Sequence, residues 1–148
     1  MVDVNLIKQL RDRTGAGIAD CRGALEQAKG NLVKAEEILK KKGLEKADKK
    51  SDREIKAGMV HAYVHGSRVG ALVEVGCETD FVAKTEEFKN LVHEIAMQVA
   101  SMNPLDVDEL LTQDYIRDPQ VTISDLVKSA IAKLGENIKI VKIARFAI

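Results

Sequence analysis

Residues 69–77 alternate without interruption: Val69, Ala71, Val73, Val75 and Cys77 all fall on one face of an extended chain. A strand with one apolar face needs a cover, and the sequence supplies it a few residues later. Phe88, Leu91, Val92, Ile95, Ala96 and Val99 recur at i, i+3, i+4 and i+7, which predicts a helix over 85–102 with a continuous apolar stripe. Asn103-Pro104 ends it. A second β-rich run, 59–65, precedes the first and is joined to it by His65-Gly66-Ser67, a short hairpin turn. Asp106–Thr112 reads as one or two helical turns, and Tyr115–Gln120 as loop. Thr122 or Ser124 can cap a further helix that runs to Leu134 and stops at Gly135, and Asn137–Ile148 reads as a final strand. The local order β-β-α-α-β predicts an α+β domain: a three-stranded antiparallel sheet covered by helices.

The first third of the chain is different in kind. Residues 1–56 carry 14 Lys/Arg against 10 Asp/Glu, and residues 57–148 carry 9 against 13, so the zero formal charge is a cancellation between two unlike halves. Asp3 can cap a first helix with Val4, Leu6, Ile7 and Leu10 on one side. Thr14-Gly15-Ala16-Gly17 breaks it. A second helix, from about Ile18 to Lys29, places Ile18, Cys21, Leu25 and Ala28 at helical spacing. Gly30 stops that one, and Asn31 caps a third with Leu32, Ala35, Ile38 and Leu39, which we expect to end at Gly43. The predicted organisation is therefore a three-helix bundle over 1–43, a charged helical linker over 44–57 and the α+β core over 58–148. So small a bundle has little core of its own and should lean on its linker or on a partner.

Charge and composition limit the function. Balanced charge argues against a protein that lives on bulk nucleic acid, which needs surplus Lys and Arg. The one basic cluster, Lys40–Lys42 with Lys46, Lys49 and Lys50, is interrupted by Glu45 and Asp48 and lacks interleaved aromatics, so it reads as a solvated helix face. No run approaches a membrane span and no signal-type segment opens the chain, so a cytoplasmic protein is expected. Cys21 and Cys77 form no C-x-x-C pair and read as structural thiols. His61 and His65 would lie about 13 Å apart along a strand, too far to share one metal ion, and read as solvent-facing; His93 reads as a rim residue of its helix. No nucleophile, base or metal set converges, and neither catalysis nor a cofactor is expected.

Cys77-Glu78-Thr79-Asp80-Phe81-Val82-Ala83-Lys84 leaves the alternating strand and enters the best helix, which places it in a loop at the end of the sheet. Phe81 is one of only five aromatic residues. Two readings stand open: Phe81 folds under its loop as a hydrophobic staple for the helix capped by Thr85, or it projects as an anchor for a partner's pocket.

Thr79-Asp80-Phe81-Val82, preceded by Glu74-Val75-Gly76-Cys77-Glu78, resembles the signature loop of the bacterial elongation factor Ts family. Leu10-Arg11-Asp12-Arg13-Thr14-Gly15-Ala16-Gly17 with Asp20-Cys21 resembles that family's other signature, Tyr63-x-His65-Gly66 with Arg68-Val69-Gly70 its hairpin, and Ile131-x-x-Leu134-Gly135-Glu136-Asn137-Ile138 its last helix and strand. The resemblance implies a guanine-nucleotide exchange factor for elongation factor Tu, without enzymatic activity or cofactor. It implies that the bundle is ubiquitin-associated-like and docks on the partner's GTPase domain through Arg11, Ile18 and Ala19, the last smaller than the family's usual residue. It implies that Phe81 wedges between helices of that domain while Asp80, within the Thr79–Val82 loop, disturbs its Mg²⁺ site. Longer members carry two core units and many insert a helical hairpin where this chain has only 20 residues, Asn103–Thr122. One core copy implies a homodimer. The competing reading is a ubiquitin-associated-like adaptor that binds peptides without affecting nucleotide.

Overall fold

The computed structural model describes all 148 residues, Met1–Ile148. Three helices come first: α1 (Val4–Thr14), α2 (Ile18–Gln27) and α3 (Leu32–Asp48). Asp3 caps α1 by accepting from the Asn5 N–H at 2.8 Å, and Asn31 caps α3 by accepting from the Lys34 N–H at 3.1 Å. Ile7, Leu10, Cys21, Ala24, Leu25, Ala28 and Ala35 form their small shared core. Val4 and Ile18, placed by periodicity on the apolar sides, are instead exposed. Each sits in the first turn of its helix, where the bundle does not reach.

Then follow β1 (Ala57–His65), β2 (Val69–Cys77), α4 (Asp80–Ala83), α5 (Glu86–Met102), α6 (Val107–Thr112), β3 (Asp114–Tyr115), β4 (Asp118–Thr122), α7 (Ile123–Leu134) and β5 (Ile138–Ala147). The fold is α+β. Its three-stranded antiparallel sheet has the order β1-β2-β5, so β2 is central. Gly66 and Ser67 both take left-handed φ in the β1–β2 turn, which suits the twist of the flanking strands. The face carrying Ala71, Val73, Val75 and Cys77 is buried under α5, whose Phe88, Val92, Ile95 and Ala96 are fully enclosed. The opposite face has no helical cover: Val60, Val64, Leu72 and Phe146 lie open on it, and the register sets Ala62, Leu72 and Ala144 side by side.

Three expectations need correction. First, α3 does not end at Gly43 but runs through it to Asp48. Gly43 is a contact point: a Cβ there would sit 3.3 Å from the Ala132 Cβ of α7. Beyond it Ala47 is buried in the core of the α+β domain, and Asp48 pairs with Lys128 of α7 at 3.0 Å. Second, 115–120 is not loop throughout, because β3 and β4 form a small hairpin. Contacts with α5 hold it, not local propensity. Buried Gln98 donates to the Asp114 carbonyl at 3.0 Å and accepts from the Ile116 N–H at 3.1 Å, while Glu94 receives the Tyr115 hydroxyl at 2.8 Å and Arg117 Nε at 2.7 Å. Third, the segment after β2 is not simply a loop, since Asp80–Ala83 makes one helical turn. The cap of α7 is Thr122, in a reciprocal arrangement with Asp125.

Candidate functional site

Where β2 leaves the sheet, Thr79 turns the chain into α4 by accepting from the Val82 N–H at 3.3 Å. A single turn has no stability of its own, so its neighbours must hold it. Val82 points inward and is buried in the main core. Thr85 hydroxyl donates to the Val82 carbonyl at 2.7 Å and caps α5 through the Phe88 N–H at 3.2 Å. On the other side Glu136, in the α7–β5 turn, accepts three hydrogen bonds: from the Glu78 and Thr79 N–H groups at 3.1 and 3.0 Å through Oε1, and from the Thr79 hydroxyl at 2.7 Å through Oε2.

Phe81 is thereby left 83% exposed, on the outer side of a turn fixed at both ends. Phe81 is therefore not folded under its loop as a staple; the ring projects. An exposed phenylalanine on a mobile tip would collapse onto nearby apolar surface, but this one is carried by a turn whose inward positions are already filled. Asp80 beside it is exposed as well. The Cys77 thiol below the loop donates to the Thr79 carbonyl at 3.2 Å, and burial, reinforced by the Glu136 charge, pushes its pKa up. At neutral pH it stays a protonated structural thiol.

The second group of expected site residues lies on the bundle. Arg11 is in the last turn of α1, and Ile18 and Ala19 are in the first turn of α2, all three exposed on either side of the Thr14–Gly17 break. The break is itself ordered. Gly15 takes a left-handed φ of 71° and donates to the Arg11 carbonyl at 2.7 Å, and Ala16 donates to Thr14 Oγ1 at 3.3 Å. Two lysines of the basic cluster are not free for a ligand: Lys42 and Lys46 reach across to Asp20 at 2.7 and 3.2 Å, and their hydrogen bonds hold its carboxyl below the ordinary range.

Of the histidines, His65 is exposed and His93 half-buried at the edge of its helix's apolar stripe, as expected, but His61 is not solvent-facing. His61 faces α5, half-buried, with Nε2 3.0 Å from His93 Nδ1, and the Tyr63 ring lies edge-on to His93 while its hydroxyl meets His65 Nδ1 at 3.0 Å. Inward alternation along β1 explains this, since His61 shares its face with Met59 and Tyr63. No group of three His, Cys, Asp or Glu side chains could hold a metal ion, and no helix is long and apolar enough to cross a membrane.

Residue types alone gave no role to Glu136 or Asn137. Asn137 is buried; its N–H donates to Glu78 Oε1 at 2.8 Å, and its side-chain amide donates to the Ser51 and Arg53 carbonyls at 3.3 and 2.8 Å. The available signal was a Gly-Glu-Asn run between a helix stop and a strand, too short to show which segment it grips.

The family model described as elongation factor TS matches residues 78–148. Elongation factor Ts of Caldanaerobacter subterraneus subsp. tengcongensis is 42% identical over 192 aligned positions, covering 99% of this chain and 96% of that protein. The Coprothermobacter proteolyticus protein of the same name is 42% identical over 193 positions, with 99% and 98% covered. That of Synechocystis sp. is 39% identical over 192, with 98% and 88% covered. These spans exceed the 148 residues here, so the relatives carry additional residues within the matched region.

Proposed function

This chain belongs to the elongation factor Ts family, and from that membership we propose that it binds elongation factor Tu in its GDP form and promotes nucleotide release. Arg11, Ile18 and Ala19 dock on the GTPase domain, Phe81 inserts between helices of that domain, and Asp80 disturbs the site that holds Mg²⁺. Loss of that ion would weaken the partner's hold on the nucleotide phosphates. No covalent bond changes. If the protein binds nucleotide-free partner more tightly than GDP-bound partner, GDP must bind the complex more weakly by the same factor.

The observation that carries this reading is Phe81 itself: a large ring 83% exposed on a turn held from both sides. An exposed aromatic of this kind is what a wedge requires, and a stand-alone ubiquitin-associated-like adaptor has no use for it. Partner preloaded with fluorescent GDP should release it faster when this protein is added. Phe81→Ala should slow that release at least about thirtyfold, the range of an interfacial hot spot, while changing stability by less than about 0.5 kcal/mol because the ring is unpacked. Wild-type release by the variant would remove Phe81 from the mechanism.

We further propose a homodimer, in the cytoplasm, without direct contact to nucleic acid or membrane. The open sheet face supports it. Val60, Ala62, Val64, Leu72 and Phe146 make an apolar surface that a two-fold copy could cover with the same residues.

A further inference from the structure

Glu136 sits just past the C-cap of α7, where Gly135 at φ 78° lets the chain reverse into β5. Far in sequence from residues 78–79, it receives all three of its hydrogen bonds from them. The grip is mutual, because Glu78 returns one by accepting from the Asn137 N–H at 2.8 Å. Thr79 links the grip to α4: its hydroxyl donates to Glu136 Oε2 while accepting from the Val82 N–H. Bonds to a carboxylate are shorter and stronger than neutral ones. With α4 only one turn long, its N-cap and Val82 are what set the direction of Phe81.

We infer that Glu136 is the positioning residue for the Phe81 turn, holding the wedge at the angle its insertion needs without touching the partner. The inference rests on the exchange function proposed above. A wedge that wanders must be ordered again at each encounter, so loosening the anchor lowers the rate of nucleotide release at saturation and leaves docking through Arg11 and Ile18 intact.

Two readouts on the whole 148-residue chain test it. Glu136→Ala should lower the maximal rate of GDP release about tenfold, with the half-saturating concentration changed less than about twofold. Glu136→Gln keeps an acceptor for both N–H groups and should recover to within about threefold of wild type. Amide hydrogen exchange at residues 78, 79 and 82 should speed up about tenfold or more in Glu136→Ala, with α5 and β2 unchanged. Should Glu136→Ala fail to fold, Glu136→Asp keeps the charge but draws the carboxylate back by one methylene from the 78–79 donors, and should shift both readouts the same way by a smaller amount. A wild-type maximal rate or unchanged protection at 78–82 in Glu136→Ala overturns the inference. If the wild-type protein itself does not speed GDP release, the exchange function falls, and the amide data still decide whether Glu136 holds the turn.

Discussion

Gly43 of α3 and Ala132 of α7 meet so closely that a side chain on the glycine would lie 3.3 Å from the alanine methyl. The bundle is fastened to the α+β domain at this crossing. Gly43→Leu should therefore force α3 and α7 apart and cost about 1–3 kcal/mol of stability. At an exposed helix position the same change would stabilise by close to 1 kcal/mol through helix propensity alone. Urea denaturation separates the two, since a more stable Gly43→Leu protein would mean the contact is slack.

Asn137 is the buried polar tie between the α7–β5 turn and the segment after α3. Asn137→Ala leaves the Ser51 and Arg53 carbonyls without their donor and should cost about 1–3 kcal/mol. Asn137→Asp should be worse than alanine at neutral pH, because a carboxylate would face two carbonyl oxygens. Trypsin should then cut faster at Lys50 and Arg53. Equal stability of the Asp and Asn proteins would contradict the tie.

Tyr115 makes alkaline stability specific to one contact. Burial, then its bond to Glu94 and the charge of that carboxylate, push its phenol up to about 12 from the ordinary 10.0. The fold thus favours the neutral phenol. That contribution is complete below about pH 10 and is lost as pH rises from 10 towards 12. Tyr115→Phe should be less stable than wild type at pH 8, and the gap should narrow across that window in melts followed at several pH values. A constant gap would show that the Glu94 bond does not respond to ionisation.

Leu72 stands at the centre of the open sheet face, flanked by Ala62 and Ala144. Leu72→Lys should halve the mass measured by light scattering at micromolar concentration while the far-ultraviolet circular dichroism stays that of the folded wild type. A wild-type mass of one chain would end the homodimer proposal.

The sheet and its principal helix were legible because periodicity there reports burial directly: Val73 and Val75 on the strand, Phe88 and Ile95 on α5. Turns set by short-range chemistry were legible too, as at Asp3, Asn31 and Thr85. What escaped were features decided by contacts distant in sequence. Gly43 looks like a helix stop until Ala132 is seen against it. Residues 115–120 look like loop until Gln98 is seen bonding to the hairpin at Asp114 and Ile116. The Phe81 loop could be located from sequence, but whether the ring turned in or out could not, because that depends on Val82 filling the inward position and on Glu136 gripping residues 78–79 ahead of the turn. Phe146 escaped for the same reason, since its strand position alone does not reveal that nothing covers it.

The continuity of α3 has a mechanical meaning. Two contact points joined by a floppy tether lose orientational freedom at every engagement, whereas a rod of about 25 Å has already lost it on folding. Ile18 and Phe81, the two contact points of the proposed docking, therefore stand at a set span, like the jaws of a gauge. A surface that offers a seat for one at the wrong distance from the other is rejected by geometry before any individual contact is weighed.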